Sequence, residues 1–347
     1  MPLADDYHAL RHSAGIVDRS TRGRLVVTGV DRRSYLQGLL TNDIEALAAG
    51  TGCYAAYLTA QGRMIADMRV FDTGDDLLVD MDGQLADAIA DRWSRFIFSE
   101  DVQIRNDSAA TSQVGVFGPQ SAHVLARVLA DSSAGGDQLE ETFRSLPLNA
   151  NRSYSFSGFR ASVLVSEEIG VRGFEIVIAA SVKTSLLESL RTAGAIEVGP
   201  DAAEVCRVEG GRPLFHVDMD EDTIPLEAGI EDRAISLTKG CYVGQEVIIR
   251  VLHRGHGRVA RRLVGIALER GVRVPSRGDQ IVASGRDIGS ITSAVDSPAL
   301  GYPIALGYVH RDFQQPGTSV TVADGVGSVT LLPFVPIDGT PEPVAAD

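Results

Sequence analysis

Eight consecutive residues in the second half of the chain combine a cation, a thiol and an acid: Lys239-Gly-Cys-Tyr-Val-Gly-Gln-Glu246. Apolar residues within and after this octet are spaced to form one helical face: Val243, Val247, Ile248, Val251 and Leu252. Cys241 would then lie just before a helix N-terminus, where the helix dipole and Lys239 favour the thiolate. The alternative is a buried thiol that only fills a turn, because free cysteines are commonly buried. The spacing alone leaves both open.

A second candidate is a carboxylate in the middle of an apolar strand. Within Met64-Ile-Ala-Asp-Met-Arg-Val-Phe71, Asp67 shares one face with Ile65, Arg69 and Phe71. Aspartate is depleted in strands, so its presence in the middle of this strand requires an explanation. An ion pair with Arg69, or simple exposure, would explain it without any function.

The elements that must position these residues form two α+β units. For the first unit we predict strands at Gly23–Thr28, Cys53–Leu58, Arg63–Phe71 and Leu77–Met81. One helix follows its cap Asp31, and a second helix carries apolar residues inward: Leu85, Ile89, Trp93, Phe96 and Ile97. A similar order returns 89 residues later, when Val27-Thr-Gly29 is aligned with Val116-Phe-Gly118. A duplicated unit or a chance coincidence of apolar residues at a helical period explains this equally well.

The second unit and the end of the chain complete an α+β fold with a β domain. The second unit has predicted strands at Val114–Phe117, Ser162–Val165 and Phe174–Ile178, and helices at Gln120–Leu129 and Val182–Thr192. From Arg261 onward, short strands separated by Gly and Pro predict a small barrel or sandwich: Leu263–Leu268, Gln280–Ala283, Ile304–Val309 and Ser319–Val322.

Composition excludes several classes of function. The 347 residues favour two or three domains, and a net charge of −14 argues against nucleic-acid partners. Three widely spaced cysteines without a Cys-x-x-Cys pair predict neither disulfides, nor structural zinc, nor a protein-held iron–sulfur cluster. The chain start has no secretory or transit pattern, and no run reaches the roughly 18 apolar residues of a membrane helix. We therefore expect a cytoplasmic protein without a membrane partner.

The octet resembles the signature of the YgfZ family, folate-binding proteins related to the glycine-cleavage T-protein, an aminomethyltransferase. The lead-in Thr223-Ile-Pro-Leu-Glu-Ala-Gly229 and the tail Arg250…Arg254-Gly255 resemble the same pattern. Weaker matches extend over nearly the whole chain: Asp18-Arg-Ser20, Leu40-Thr-Asn-Asp-Ile44, Gly118-Pro119, Gly173-Phe-Glu175, Arg207-Val-Glu209 and Gly307-Tyr-Val309. The resemblance implies two α+β domains and a C-terminal β-barrel around a folate channel. The domains expected are residues 1–110 with 200–258, then 111–199, then 259–347.

The resemblance also implies roles for individual residues. T-proteins carry a Gly-x-x-x-Asp-Asp segment whose carboxylate works near the reactive nitrogens of folate, and Asp67 stands at its second acid when Gly62 is aligned. Glu175 resembles a glutamate that contacts the pterin, since a carboxylate accepts two parallel N–H bonds; an exposed strand residue is its alternative. Cys241 joins Asp67 as a catalytic candidate. Further cofactor contacts implied by the resemblance are Arg207, Lys239, Tyr242, Gln245 and Glu246.

Two departures from the T-protein pattern bear on activity. Ala66 replaces the first acid of the pair, and Ala203 replaces an arginine that contacts folate. We therefore expect a protein that binds tetrahydrofolate or a one-carbon derivative and assists assembly, repair or maintenance of iron–sulfur enzymes. Those enzymes, or their assembly proteins, would be its partners. The alternative is a folate-dependent aminomethyl or methyl transferase that uses Asp67.

The basic run from Arg250 to Arg262 contains five arginines and two histidines. It would hold the glutamate tail of a folate or an acidic partner, or it is a solvated connector to the last domain. His253 and His256 have a metal-binding spacing for a helix, but Gly255 and Gly257 argue against a helix. We predict no metal site.

Overall fold

The computed structural model describes residues 3–130, 136–254, 257–323 and 325–337, with only the backbone described at 253 and 254. Its strands are β1 (Gly15–Asp18), β2 (Gly23–Thr28), β3 (Gly52–Leu58), β4 (Met64–Asp72), β5 (Leu77–Met81), β6 (Gln103–Asn106), β7 (Thr111–Phe117), β8 (Asn151–Phe156), β9 (Phe159–Ser166), β10 (Gly173–Ala179), β11 (Ile196–Glu197), β12 (Arg261–Leu268), β13 (Gln280–Ala283), β14 (Arg286–Ser297), β15 (Tyr302–His310), β16 (Ser319–Val322) and β17 (Gly325–Thr330). Its α-helices are α1 (Leu3–His12), α2 (Arg32–Leu39), α3 (Ala86–Ser94), α4 (Ser121–Leu129), α5 (Gly136–Ser145), α6 (Lys183–Thr192), α7 (Pro200–Glu209), α8 (Pro225–Ala228), α9 (Glu231–Ala234) and α10 (Gln245–Ile249).

The first unit is a five-stranded antiparallel sheet in the order β3-β4-β5-β2-β6. One face of this sheet packs against α2 and α3, with Tyr57 and Ala66 in contact with Leu36 and Trp93 in one apolar cluster. The four predicted strands are confirmed to within one residue at each end.

Two details of the predicted helices are wrong. Helix α3 ends at Ser94, and Phe96 is 46% exposed instead of inward. No Gly or Pro follows Ser94 to mark this end, so the apolar spacing runs on past the helix. Asp31 stands at the N-cap of α2, but its carboxylate accepts the backbone N–H of Asp101 instead of a helix amide.

The second unit repeats the path of the first. Its sheet has the order β11-β1-β7-β10-β9-β8, and β7 pairs with β10 as β2 pairs with β5. Gly29 and Gly118 follow the first strand of each unit with φ of +101° and +115°. The predicted offset of 89 residues therefore corresponds to a repeated chain path. Strand β1 at the chain start pairs with β7, so residues 15–18 belong to the second sheet.

The two sheets face each other across a shared interior. Phe71 and Leu78 of the first sheet contact Leu164 and Val177 of the second in a small apolar cluster. We call this space the interlayer. The helices of each unit therefore lie on the outer faces of the pair.

The C-terminal strands close a barrel in the order β12-β15-β14-β13-β16-β17. This confirms the predicted β domain as a barrel, although β14 and β17 were not predicted because Gly, Ser and Asp interrupt their apolar pattern. Glu209 at the end of α7 fastens the barrel to the body. Its carboxylate accepts hydrogen bonds from Tyr7 and Arg11 of α1 and from Ser297 of β14.

Residues 215–248, called the covering segment here, lie over the hairpin of β3 and β4. Tyr54, Ala56 and Leu58 of the hairpin pack against apolar residues of this segment: Phe215, Met219, Leu226, Ala228, Ile230, Ala234, Ile235, Tyr242 and Ile248. The hairpin end of the first sheet is therefore buried on both faces. In the part of the chain described, no helix is long and apolar enough to cross a membrane.

Candidate functional site

Asp67 lies in the middle of β4 on the face turned away from α2 and α3. It pairs with Ala56 of β3, and Tyr54, two residues along β3, donates its hydroxyl to Asp67 Oδ2 at 2.7 Å. The side chain of Asp67 is half-buried. Burial raises the pKa of Asp67 above its usual value, although the Tyr54 hydroxyl and the Arg22 cation oppose this. A carboxylate with a raised pKa is suited to accept a proton during a reaction.

Arg69, next along the same face of β4, binds carboxylates of both units. Its Nε donates to Asp80 Oδ2 at 2.9 Å, and its Nη2 lies 3.0 Å from Glu175 Oε1. Ser166 donates to Glu175 Oε1 at 2.6 Å, and Gln113 donates to Glu175 Oε2. Burial opposes ionisation of Glu175, but the guanidinium groups around it, Arg69 above all, outweigh burial and lower its pKa to about 2. The sheets are therefore joined by a buried ionic cluster.

Two alternatives considered from the sequence are wrong. Asp67 does not pair with Arg69 within the described contacts, because Arg69 is bonded to Asp80 and Glu175. Glu175 is fully buried instead of exposed. The structure thus places Asp67 on the interlayer face of β4 next to Arg69, and Arg69 in turn binds Glu175 from the second unit. A ligand contact from Glu175 stays a prediction, since its carboxylate is bonded here to protein side chains.

Three residues around Asp67 were not identified from the sequence: Tyr54, Arg233 and Glu168. The Arg233 guanidinium carbon lies 4.7 Å from the centre of the Tyr54 ring, and Arg233 Nη1 lies 3.8 Å from Glu168 Oε1. Tyr54 could have been found from the register, because it is the diagonal neighbour of Asp67 across the hairpin. Arg233 and Glu168 come from the covering segment and the second unit, so no local pattern connects them with Asp67.

In the octet, Lys239 acts as a structural anchor. Its ammonium donates to the backbone carbonyls of Gln37, Leu40 and Asn42 at 2.7, 2.6 and 2.8 Å. Its side chain is buried, and its charge is directed at the C-terminal end of α2 and the loop after it. From the sequence we expected Lys239 to favour the thiolate of Cys241. Its described hydrogen bonds go to backbone carbonyls instead.

The rest of the octet divides into buried and exposed positions. Tyr242 packs in the apolar cluster between the covering segment and the first hairpin. Cys241 and Glu246 are exposed, and Gln245 is half-buried. Gly244 has φ +86°, and a Cβ there would lie 2.5 Å from the Thr59 carbonyl oxygen. The predicted helix is present through Leu252, but it begins only at Gln245, four residues after Cys241: α10 continues as a π-helix over Arg250–Arg254. Cys241 therefore does not sit at a helix N-terminus.

Arg207 fastens α7 to the barrel. Its guanidinium donates to Asp218 Oδ2 at 2.7 Å, to Ser293 Oγ at 2.7 Å and to Glu204 Oε2 at 2.7 Å. The side chain is buried among these partners. A cofactor contact from Arg207 stays a prediction.

The basic run ends at a wide cleft of about 590 Å³ between the barrel and the first unit. Arg261 lines it, pairs with Glu227 at 3.3 Å and lies over the ring of Tyr308. Arg262 pairs with Glu231 at 2.7 Å. Among residues with described side chains, no group of three His, Cys, Asp or Glu could hold a metal ion, and the side chains of His253 and His256 lie outside that description.

Two facing α+β units followed by a closed barrel match known domain models over most of the chain. Residues 2–239 match the GCVT N-terminal domain, and residues 261–334 match the Glycine cleavage T-protein C-terminal barrel domain. The chain belongs to the family of proteins built from these two domains. The segment between the two matches contains Cys241, Tyr242, Gln245 and Glu246.

The proteins and the solved structure to which this chain is similar include two aminomethyltransferases and a putative transferase. The aminomethyltransferase of Streptomyces coelicolor is 29% identical over 95% of this chain and 88% of its own length. A putative chloroplastic transferase of Arabidopsis thaliana is 28% identical over 92% of this chain and 71% of its own. The glycine cleavage system aminomethyltransferase T from Bartonella henselae superposes with a TM-score of 0.83 at 23% identity, over 96% of this chain and 89% of that one. This structure confirms the fold; membership of the YgfZ group stays a prediction.

The structure locates the two departures from the T-protein pattern. Ala66 is fully buried in the cluster under α2 and α3, on the opposite face of β4 from Asp67. An acid at position 66 would therefore not face the interlayer. Ala203, on α7, packs against the cluster between α1, α7 and the barrel. Having alanine instead of an acid at position 66 therefore does not change the number of carboxylates on the face of β4 that carries Asp67.

Proposed function

We propose that this protein binds a reduced folate, tetrahydrofolate or a one-carbon derivative, beside the covered hairpin and transfers an aminomethyl or methyl group. Asp67 is the proton acceptor in this proposal. The observation that carries it is a half-buried carboxylate, bonded to Tyr54, in the middle of a strand where aspartate is otherwise unfavourable. The name aminomethyltransferase among the relatives supports this choice over the role in iron–sulfur maintenance.

The chemistry needs a base of moderate strength close to a folate nitrogen. A bond forms between that nitrogen and the one-carbon unit, while the bond from this unit to its donor breaks and leaves the electron pair on the donor. The nitrogen then loses its proton, which Asp67 accepts. Burial raises the pKa of Asp67, and the Tyr54 hydroxyl fixes one oxygen of the carboxylate.

The surrounding side chains fit a ligand rich in N–H donors. Glu168, half-buried and 3.8 Å from Arg233, provides a carboxylate near Asp67, and carboxylates pair with the parallel N–H groups of an aminopyrimidine edge. The folate would supply the nitrogen that carries the one-carbon unit. In this proposal Arg207, Lys239 and Tyr242 support the site through their packing and bonds within the protein.

The test separates binding from transfer. Calorimetric titration with tetrahydrofolate and 5-formyltetrahydrofolate should show saturable binding to the wild-type protein and to Asp67→Asn. Transfer, followed in a glycine-cleavage assay or by demethylation of an N-methyl substrate, should fall about 10²- to 10⁴-fold in Asp67→Asn. Asp201→Asn, at an exposed carboxylate, serves as the control and should retain activity. Full transfer activity in Asp67→Asn would remove Asp67 from the mechanism.

A second function is favoured by one observation, the exposed Cys241 beside exposed Leu237 and Val243. In this version the protein binds folate and maintains iron–sulfur enzymes, with its thiol in contact with a client or assembly protein. Cells carrying Cys241→Ala should then lose activity of iron–sulfur enzymes while folate binding is unchanged. Intact iron–sulfur enzymes in those cells would exclude the thiol from such a role.

A further inference from the structure

The chain leading into the octet is bonded along its length to the loop after α2. Thr41 Oγ1 donates to the Ala234 carbonyl at 2.6 Å, and the Ser236 N–H donates to the Thr41 carbonyl at 3.0 Å. Asn42 Nδ2 donates both to the Arg233 carbonyl, at 3.0 Å, and to the Tyr54 carbonyl, at 2.8 Å. One amide group thus fixes the backbone of Arg233 relative to that of Tyr54.

Lys239 fixes the far end of the same stretch. Its ammonium donates hydrogen bonds to three backbone carbonyls between Gln37 and Asn42. Thr41, in the same segment, is fully buried. Residues 233–239 are therefore held at both ends against the loop after α2, and Asn42 of that loop also bonds the backbone of Tyr54 in the hairpin. A buried set of hydrogen bonds of this kind restricts a segment to one arrangement.

The result is that Tyr54 is held at three points. Asn42 bonds its backbone carbonyl, the Arg233 guanidinium lies 4.7 Å from its ring centre, and its hydroxyl donates to Asp67. Arg233 also pairs with Glu168, whose Oε1 lies 3.8 Å from its Nη1. A planar guanidinium that stacks on a ring and pairs with a carboxylate at its edge has a defined orientation.

We propose that Arg233 is a positioning residue for Asp67, because it holds the Tyr54 ring in the orientation in which its hydroxyl donates to Asp67. This inference rests on the proposed function of Asp67 as proton acceptor. Arg233 acts through Tyr54 and does not touch the reacting atoms. Burial and the Asp67 charge raise the pKa of Tyr54, so its hydroxyl stays protonated and remains a donor.

The charged and titratable groups around Asp67 define what should change. Tyr54 faces it from β3, Arg22 from the chain before β2, and Glu168 from the chain after β9. The Tyr54 hydrogen bond lowers the pKa of Asp67, whereas burial raises it. If Tyr54 turns away, only that lowering effect is lost, and Asp67 should bind its proton at higher pH.

The experiment titrates Asp67 in the full-length protein without ligand, by ¹³C NMR of aspartate carboxyls assigned with Asp67→Asn. In Arg233→Met the midpoint of Asp67 should move up by about one pH unit, a roughly tenfold change in proton affinity. Arg233→Lys, which keeps the charge but not the plane, should show most of the same shift. Arg191→Met, at an exposed ion pair with Glu197, is the matched control and should show none.

A second variant decides whether Arg233 acts through Tyr54. Tyr54→Phe should raise the midpoint of Asp67, and adding Arg233→Met to it should change nothing further. An equal shift from Arg233→Met in both backgrounds, or no shift in the wild-type background, would overturn the inference. Because no folate is present, this result is independent of whether the protein transfers one-carbon units. In a transferring protein, Arg233→Met should lower kcat and move the acid limb upward, with KM for folate within about twofold.

Discussion

The two α+β units follow one chain path, yet their hairpins have opposite surroundings. In the first unit the interlayer face of the hairpin carries Tyr54, Leu58 and Asp67, and the covering segment lies over it. In the second unit the corresponding face of β8 and β9 carries Ser155 and Arg160, both exposed. A repeated scaffold therefore provides two hairpins, and the covered one carries a carboxylate, Asp67, whose pKa is raised by burial.

The difference shows that the environment of Asp67 depends on the covering segment as much as on the sheet. Burial raises the pKa of Asp67, and the residues that pack on Tyr54 and Ala56 beside it lie far away in sequence, whereas the strand itself occurs in both units. The interlayer is shared: Arg69 of the first unit binds Glu175 of the second. Its cations hold the pKa of Asp80 and of Glu175 well below the usual range, the opposite of the effect at Asp67.

Breaking the link between the units should have the most severe consequence. Arg69→Met leaves Asp80 and Glu175 buried without their shared cation, which should lower the free energy of unfolding by about 3–5 kcal/mol. Denaturation with urea, followed by circular dichroism, measures this. Arg105→Met, at an exposed pair with Asp107, is the control and should cost less than about 1 kcal/mol. Similar losses in both variants would show that the ionic cluster does not hold the sheets together.

The contrast between covered and open hairpins can be measured with one truncation in each. Leu58→Ala, fully buried under the covering segment, should cost about 2–5 kcal/mol because it leaves a cavity. Arg160→Ala, on the exposed hairpin, should change stability by no more than about 0.5 kcal/mol. If Leu58→Ala cost as little as Arg160→Ala, the covering segment would not be packed on the first hairpin.

The repeated path itself predicts a smaller, paired effect. Alanine at Gly29 or at Gly118 would place a Cβ 1.9 or 2.5 Å from a backbone carbonyl oxygen at positive φ. Each substitution should cost about 1–3 kcal/mol. Gly38→Ala, inside α2 with open space around it, should instead stabilise by roughly 0.5–1 kcal/mol. Thermal denaturation of the three variants measures these changes. Clearly different losses of stability for Gly29→Ala and Gly118→Ala would contradict equivalent roles for the two turns.

Local patterns in the sequence predicted the fold better than the site. Alternation and turn residues placed the strands of the first hairpin to within one residue, because these signals lie within the strands themselves. From the sequence, the thiol of the octet was the candidate functional group. In the structure, Lys239 is bonded to backbone carbonyls as an anchor, and the backbone of Gly244 lies close to the hairpin. Arg233 and Glu168 could not be predicted, because the contact of Arg233 with Tyr54 and the effect of Glu168 on Asp67 arise only when distant segments pack together.

Hydrogen–deuterium exchange of the full-length protein with and without tetrahydrofolate tests the assignment of the site to the covered hairpin. We expect the ligand to slow exchange in peptides from residues 52–72 and 215–248, and to leave residues 151–166 unchanged. Slowing confined to residues 151–166 or to the barrel would contradict this assignment, as would the absence of any change at saturating ligand.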